Sequence, residues 1–126
     1  MVGDRVEILL VDDEPALREL MKVALGDGYR FLEAGDVDAA LALLRAHVPA
    51  VVLLDVMLPG GSGLDILRAI RADPVVSSAR VVIVSAWQSA DDRQTAIELG
   101  ADAFLAKPFS VDELVNVVAD LVGEAA

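Results

Sequence analysis

Hydrophobic residues lie in short blocks along the chain, and three of these blocks end abruptly at a polar side chain. The blocks cover residues 6–11, 50–54 and 80–84, and they are followed by Asp12, Asp55 and Ser85. Each block is almost wholly apolar rather than alternating, which is typical of strands buried on both faces of a parallel sheet. Two weaker blocks, residues 29–34 and 102–106, complete a set of five predicted strands.

Segments of helical length separate these strands. The first, from residue 14 to about 25, carries apolar side chains at helical spacing, namely Leu17, Leu20, Met21 and Ala24. The next three span 36 to about 46, 64–72 and about 89–99. The last begins at Ser110, with Glu113 at the capping-box position. Alternating strands and helices predict an α/β fold, a doubly wound parallel sheet with five helices on its two faces.

The composition narrows the class of protein. A chain of 126 residues predicts one domain over 1–126, with an ordered core of about 5–123. The absence of cysteine excludes disulfides and thiolate zinc sites, and it favours a cytoplasmic location. The net charge of −11 disfavours direct binding of nucleic acid. Charged residues interrupt every apolar stretch well before the roughly 20 residues of a membrane span.

Polar side chains follow four of the five predicted strands. They are Asp12, Asp13, Asp55, Ser85 and Lys107. Ligands of an open parallel sheet bind beyond the carboxyl ends of its strands, so we expect these side chains to converge there. Carboxylates that share one pocket repel each other, and Mg²⁺ suits such an oxygen cage. An aspartate can attack phosphorus, while a lysine and a hydroxyl stabilise the phosphoryl oxygens. The set therefore predicts phosphoryl transfer onto an aspartate.

Four motifs in this order resemble the receiver domain of two-component response regulators, including its chemotaxis-regulator-like members. They are Asp12-Asp13, the run Leu-Asp-Val-Met-Leu-Pro-Gly at 54–60, Val84-Ser85-Ala86 and Lys107-Pro108-Phe109. The resemblance covers essentially the whole chain. It implies the flavodoxin-like receiver fold, with strand order 2-1-3-4-5.

The resemblance also implies a phosphorelay chemistry. Asp55 would be the phosphoacceptor, receiving the group from a sensor histidine kinase or a histidine phosphotransfer protein. Asp13 would bind Mg²⁺ directly and Asp12 would bind it through water. Asp55 and the backbone carbonyl of Met57 would be further ligands. Such a domain is not an enzyme with turnover, since it catalyses only its own aspartyl phosphorylation and dephosphorylation.

The same resemblance assigns a switch. Lys107 would contact the phosphoryl group, the Ser85 hydroxyl would move toward it, and Phe104 would be the switch aromatic, although tyrosine is more frequent there. The Lys107-Pro108 peptide is expected to be cis. Met57, Ala86 and Trp87 would lie on the rim of the site, and the positions of Met57 and Trp87 are ones that tune the phosphoryl lifetime in the family.

The sequence does not decide the binding partners, and it leaves alternative functions open. The fourth and fifth helices would bind an output domain or a target protein, and a phosphorylation-dependent homodimer is one form of output. The chain could be a stand-alone receiver or part of a longer regulator. One alternative is a receiver-like binding module that works without phosphorylation. Another is an Asp-nucleophile phosphatase, but those usually carry a second aspartate where this chain has Met57.

Overall fold

A parallel sheet of five strands forms the centre of the molecule. The computed structural model describes residues 5–86 and 90–125. The strands are β1 (Val6–Val11), β2 (Tyr29–Ala34), β3 (Val51–Asp55), β4 (Arg80–Ser85) and β5 (Ala103–Ala106). Their order in the sheet is β2-β1-β3-β4-β5, with every pair parallel. The predicted order 2-1-3-4-5 is therefore confirmed.

Five helices connect the strands and cover the sheet. They are α1 (Pro15–Leu25), α2 (Val37–Ala46), α3 (Gly63–Ala72), α4 (Ala90–Glu98) and α5 (Val111–Ala125). Side chains cap the start of α2 and of α5: Asp36 accepts from the Ala39 N–H at 2.7 Å, and Ser110 pairs with Glu113 in a capping box. Within the described residues, no helix combines the length and apolar character that crossing a membrane requires.

The apolar strands divide their side chains between two cores, because successive residues of a strand point to opposite faces. Leu9, Val11, Val52 and Leu54 pack on one face with residues of α2 and α3, and with Ala96 of α4. Ile8, Leu10, Val51 and Leu53 pack on the other face with residues of α1 and α5. Burial on both faces explains why these runs lack alternation.

The structure adds two details to the predicted elements. β3 and β4 each extend one residue further than predicted, since Asp55 pairs with Val84 and Ser85 pairs with Ala106 in the sheet. Between β3 and α3, Met57–Leu58 and Gly61–Ser62 form a short antiparallel pair. Ser62 then caps α3, where its hydroxyl accepts from the Leu64 N–H at 3.1 Å.

Candidate functional site

Three carboxylates meet at the carboxyl end of the sheet. Asp12 and Asp13 directly follow β1, and Asp55 ends β3, which is the neighbour of β1. Carboxylate oxygens of all three lie within 4.8 Å of one another. Asp12 and Asp55 are only 1% and 6% exposed, whereas Asp13 faces solvent. The topology thus brings together the three acidic residues that the sequence singled out.

Lys107 completes this cluster from the end of β5. Its Nζ donates to Asp12 Oδ2 at 3.0 Å and to Asp55 Oδ2 at 3.1 Å. Its backbone N–H donates to the carbonyl of Ser85 at 2.8 Å. The side chain of Lys107 is 22% exposed, so its charge is partly shielded from water. One ammonium group therefore bridges the two buried carboxylates.

Backbone N–H groups fix the other oxygen of each buried carboxylate. Glu14 donates to Asp12 Oδ1 at 2.9 Å, and Met57 donates to Asp55 Oδ1 at 3.1 Å. Both N–H groups come from residues two positions further along the chain, so each carboxylate is held by its own following loop. Because a carboxylate oxygen accepts more than one bond, this arrangement still leaves acceptor capacity for a cation.

The electrostatics of the cluster favour a hard divalent cation. Burial raises the pKa of Asp55, although the Met57 N–H and Lys107 act in the opposite direction. Burial lowers the pKa of Lys107, but its bonds to Asp12 and Asp55 outweigh that effect, and the pKa is raised overall. Three carboxylates against one ammonium leave an excess of negative charge on an all-oxygen donor set. These residues fit Mg²⁺, which prefers carboxylate and carbonyl oxygens.

Comparison with protein families agrees with this geometry. The family model described as the response regulator receiver domain matches residues 8–119. The chain belongs to this family. The receiver domain from a Francisella response regulator, number 1452, is 28% identical with a TM-score of 0.88, covering 97% of this chain and 100% of that one. This chain carries the acidic pocket of Asp12, Asp13 and Asp55 together with Lys107, and it is a receiver domain of two-component signalling.

Two curated relatives are named as a transcriptional regulatory protein and as a DNA-binding response regulator. The phosphate regulon transcriptional regulatory protein PhoB of Pseudomonas aeruginosa is 40% identical over 116 residues, covering 91% of this chain and 50% of that protein. The DNA-binding response regulator MtrA of Mycolicibacterium smegmatis is 41% identical over 112 residues, covering 88% of this chain and 48% of that protein. The chain spans about half the length of these relatives.

The remaining predicted site residues that the structure describes differ in their exposure. Ser85 is buried as the last residue of β4, and the neighbouring Ala86 is exposed. Met57 is 76% exposed. The peptide between Lys107 and Pro108 is cis. Trp87, predicted on the site rim, lies outside the described residues.

The predicted switch aromatic contacts α4. Phe104 is half-buried in β5, opposite Ile83 of β4. The guanidinium carbon of Arg93 in α4 lies 4.8 Å from the centre of its ring, within the range of a cation–π interaction. Of the α4 side chains that the structure describes, only Ala96 is buried. A change in the position of the Phe104 ring would therefore alter a direct contact with α4, a helix with few buried side chains.

Two residues that the sequence did not single out hold the backbone of the site. Gly63 donates its N–H to the Val56 carbonyl at 2.8 Å, and a Cβ placed on it would lie 2.0 Å from the Asp55 carbonyl oxygen. Arg18 donates from Nη1 to the Asp12 carbonyl. Gly63 is one of three glycines at positions 60–63, and Arg18 is not among the apolar positions of the predicted first helix. Neither residue therefore shows in the sequence which atom it contacts.

Replacing Asp55 with asparagine is expected to stabilise the domain at neutral pH by on the order of 1 kcal/mol, since active-site groups commonly reduce stability. Burial raises the folded-state pKa of Asp55 above its ordinary value of 3.8, so the folded state holds this proton more tightly than the unfolded state. Stability of the wild type therefore falls as pH rises from 3.8 through the folded-state pKa.

The Asp55→Asn variant does not lose stability in this way as the pH rises, because asparagine does not titrate. Urea unfolding of both proteins over a pH series should show a difference that grows across that window and then stays constant. A difference that does not grow across that window would contradict the raised pKa.

Proposed function

We propose that Asp55 accepts a phosphoryl group from a phosphohistidine of a partner kinase or phosphotransfer protein, and that this modification switches the receiver. The observation that carries the proposal is the buried Asp55 carboxylate, held by Lys107 and the Met57 N–H beside Asp12 and Asp13. A carboxylate fixed on one oxygen by a backbone donor keeps a defined orientation toward an incoming phosphorus.

The proposed transfer is a single displacement at phosphorus. A carboxylate oxygen of Asp55 forms the new O–P bond, and the P–N bond of the donor histidine breaks with its electron pair staying on the nitrogen. Mg²⁺, when bound, supplies positive charge for the phosphoryl oxygens. Asp12, Asp13, Asp55 and the backbone carbonyl of Met57 would hold it. Lys107 already lies 3.1 Å from Asp55 Oδ2, where its ammonium can bind a phosphoryl oxygen.

A groove lies beside the site and reaches Val56, the residue that follows Asp55. It is lined by Asp13 and by the turn that contains Met57, Pro59 and Ser62. Its apolar and small residues can accept the flat surface of a donor imidazole, while Asp13 faces solvent. This groove supports a protein phosphodonor that presents its histidine from outside.

The proposed switch runs from the phosphoryl group to α4. A new dianionic group beside Lys107 changes the charge that Lys107 neutralises, and the Ser85 hydroxyl would bind a phosphoryl oxygen. Ser85 pairs with Ala106 in the sheet, two residues beyond Phe104. Since Phe104 contacts Arg93, a new position of Ser85 would shift the balance of α4 conformations.

The proposed output is binding, through α4 and α5, to an output domain or a target protein. The similarity to PhoB, a transcriptional regulatory protein, and to MtrA, a DNA-binding response regulator, supports an output at DNA. α5 carries acidic residues and no lysine or arginine between positions 111 and 125. Direct contact of α5 with DNA is therefore disfavoured, and a regulator of transcription would bind DNA through other residues.

Intact-mass analysis with a small acyl phosphate and Mg²⁺ tests the proposal. We expect one phosphoryl group per chain in the wild type, none with Asp55→Asn, and none when a chelator removes Mg²⁺. Asp13→Asn is the matched control, because it removes a carboxylate of the same cluster but leaves the acceptor. It should still be phosphorylated at raised Mg²⁺ concentration. A folded wild type without an adduct would favour a binding module, and continuous release of inorganic phosphate from a phosphomonoester would favour a phosphatase.

A further inference from the structure

We infer that Arg18 is a positioning residue for the metal site, acting on the peptide that joins Asp12 to Asp13. The inference rests on the proposed function, since it assigns a role toward the Mg²⁺ of that same site. Arg18 lies in α1, and its side chain is 17% exposed. Its Nη1 donates to the Asp12 carbonyl, and its Nε donates to Glu33 Oε1 at 3.0 Å.

The Asp12 carbonyl lies between the two consecutive acidic residues of the site. It belongs to the peptide between the two consecutive carboxylates, and a peptide unit is planar. The orientation of this carbonyl therefore limits how the side chains of Asp12 and Asp13 are set against each other. A guanidinium group that binds it fixes the stretch of backbone from which both carboxylates extend.

The end of β2 holds this turn from two sides. The N–H of Asp12 donates to the carbonyl of Ala34 at 3.0 Å. Glu33, the residue before Ala34, binds Arg18, which in turn binds the carbonyl of Asp12. The N–H of Asp12 is thus bound directly to β2, at Ala34. The carbonyl of Asp12 is linked to the preceding residue of β2, Glu33, through Arg18.

Glu33 is a fixed anchor for Arg18. Its Oε2 accepts from Lys22 at 2.9 Å while its Oε1 accepts from Arg18. The hydrogen bond from Lys22 is the largest influence on the pKa of Glu33, and together with Arg18 it lowers that pKa although burial opposes it. Glu33 is therefore ionised at neutral pH and bound on both oxygens.

This geometry requires the guanidinium of arginine rather than a positive charge alone. Nη1 and Nε bind two acceptors on different elements, and the planar group keeps these two donors at a fixed separation. A lysine has a single nitrogen on a flexible chain, so it cannot hold the Asp12 carbonyl and Glu33 in the same way. Arg18→Lys should therefore resemble Arg18→Ala in metal binding.

Calorimetric titration with MgCl₂ tests the inference on the whole chain. We expect Arg18→Ala and Arg18→Lys to bind Mg²⁺ roughly 10-fold more weakly than the wild type, the lower end of what is typical when a partner of a metal ligand is removed. Lys22→Ala is the matched control, because it removes the other cation bound to Glu33 but has no bond to Asp12. Its affinity for Mg²⁺ should lie within about twofold of the wild-type affinity, because no group that binds a metal ligand is removed. Circular dichroism verifies that each variant is folded.

Each other outcome overturns the inference. If Arg18→Ala binds Mg²⁺ as the wild type does, the Asp12 peptide does not depend on Arg18. If Arg18→Lys restores wild-type affinity, charge rather than geometry is responsible. If Lys22→Ala weakens binding equally, the effect does not depend on the bond from Arg18 to the Asp12 carbonyl. A wild type that binds no Mg²⁺ would overturn the proposed metal site itself, and this role with it.

Discussion

Replacing Gly63 with alanine is expected to destabilise the domain by about 3 kcal/mol and to remove most of its phosphorylation. The added Cβ would lie 2.0 Å from the Asp55 carbonyl oxygen and 2.9 Å from the Asp55 carbonyl carbon. These are backbone atoms at the end of a central strand, so they cannot turn aside as a side chain can. The beginning of α3 must move away, and the bond from Gly63 to the Val56 carbonyl, now 2.8 Å, is lost.

Urea unfolding and intact-mass analysis of the same samples check this prediction. Gly28→Ala is the matched control, because nothing lies within 4 Å of a Cβ placed at Gly28 and its φ is not in the left-handed region. The control should lie within about 0.5 kcal/mol of the wild type, as surface substitutions usually do. Equal stability of the two variants would contradict the close approach of α3 to Asp55.

Replacing Lys107 with methionine is expected to lower the free energy of unfolding at pH 7 by about 3 kcal/mol, because it leaves buried carboxylates without their cation. Lys107 is the donor to both Asp12 and Asp55, and methionine retains the apolar length of the side chain but no charge. The pKa of Asp55, already raised by burial, would rise further. The loss should therefore shrink as the pH falls and Asp55 becomes protonated.

Urea unfolding at pH 7 and at a lower pH, with and without Mg²⁺, measures this effect. A divalent cation should restore part of the lost stability, since it replaces the missing positive charge. Lys22→Met serves as the control, because it removes a lysine from the more exposed pairs with Glu19 and Glu33. It should cost much less stability than the Lys107 substitution, because exposed ion pairs contribute little. If the Lys107 variant is as stable as the wild type at pH 7, the bonds from Lys107 to Asp12 and Asp55 do not stabilise the fold, which would contradict this prediction.

The fold could be predicted from the sequence because its strongest signals are long and local. The run at 50–54 is fully apolar, and a strand with that pattern has to be covered on both faces. The capping box of Ser110 and Glu113 involves residues only three positions apart, and the structure confirms it. The convergence of Asp12, Asp55 and Lys107 follows once the strands are parallel, although 95 residues separate Lys107 from Asp12.

Other features depend on contacts that have no local pattern. The antiparallel pair of Met57–Leu58 and Gly61–Ser62 is too short to show a period. The role of Gly63 is visible only when the carbonyl of Asp55 is in place, and Arg18 looks like any charged residue of a surface helix until Glu33 and Asp12 surround it. The contact of Arg93 with Phe104 likewise joins residues whose packing the sequence does not specify.

Locating the phosphoryl group along the chain tests the central proposal most directly. Borohydride reduces an aspartyl phosphate to homoserine, which leaves a permanent mark that peptide mass spectrometry can assign to one position. After treatment with a small acyl phosphate and Mg²⁺, we expect homoserine at position 55 and unmodified aspartate at positions 12 and 13. Homoserine at position 12 or 13, or at none of the three in a protein that carries a phosphoryl group, would contradict the assignment of Asp55 as the acceptor.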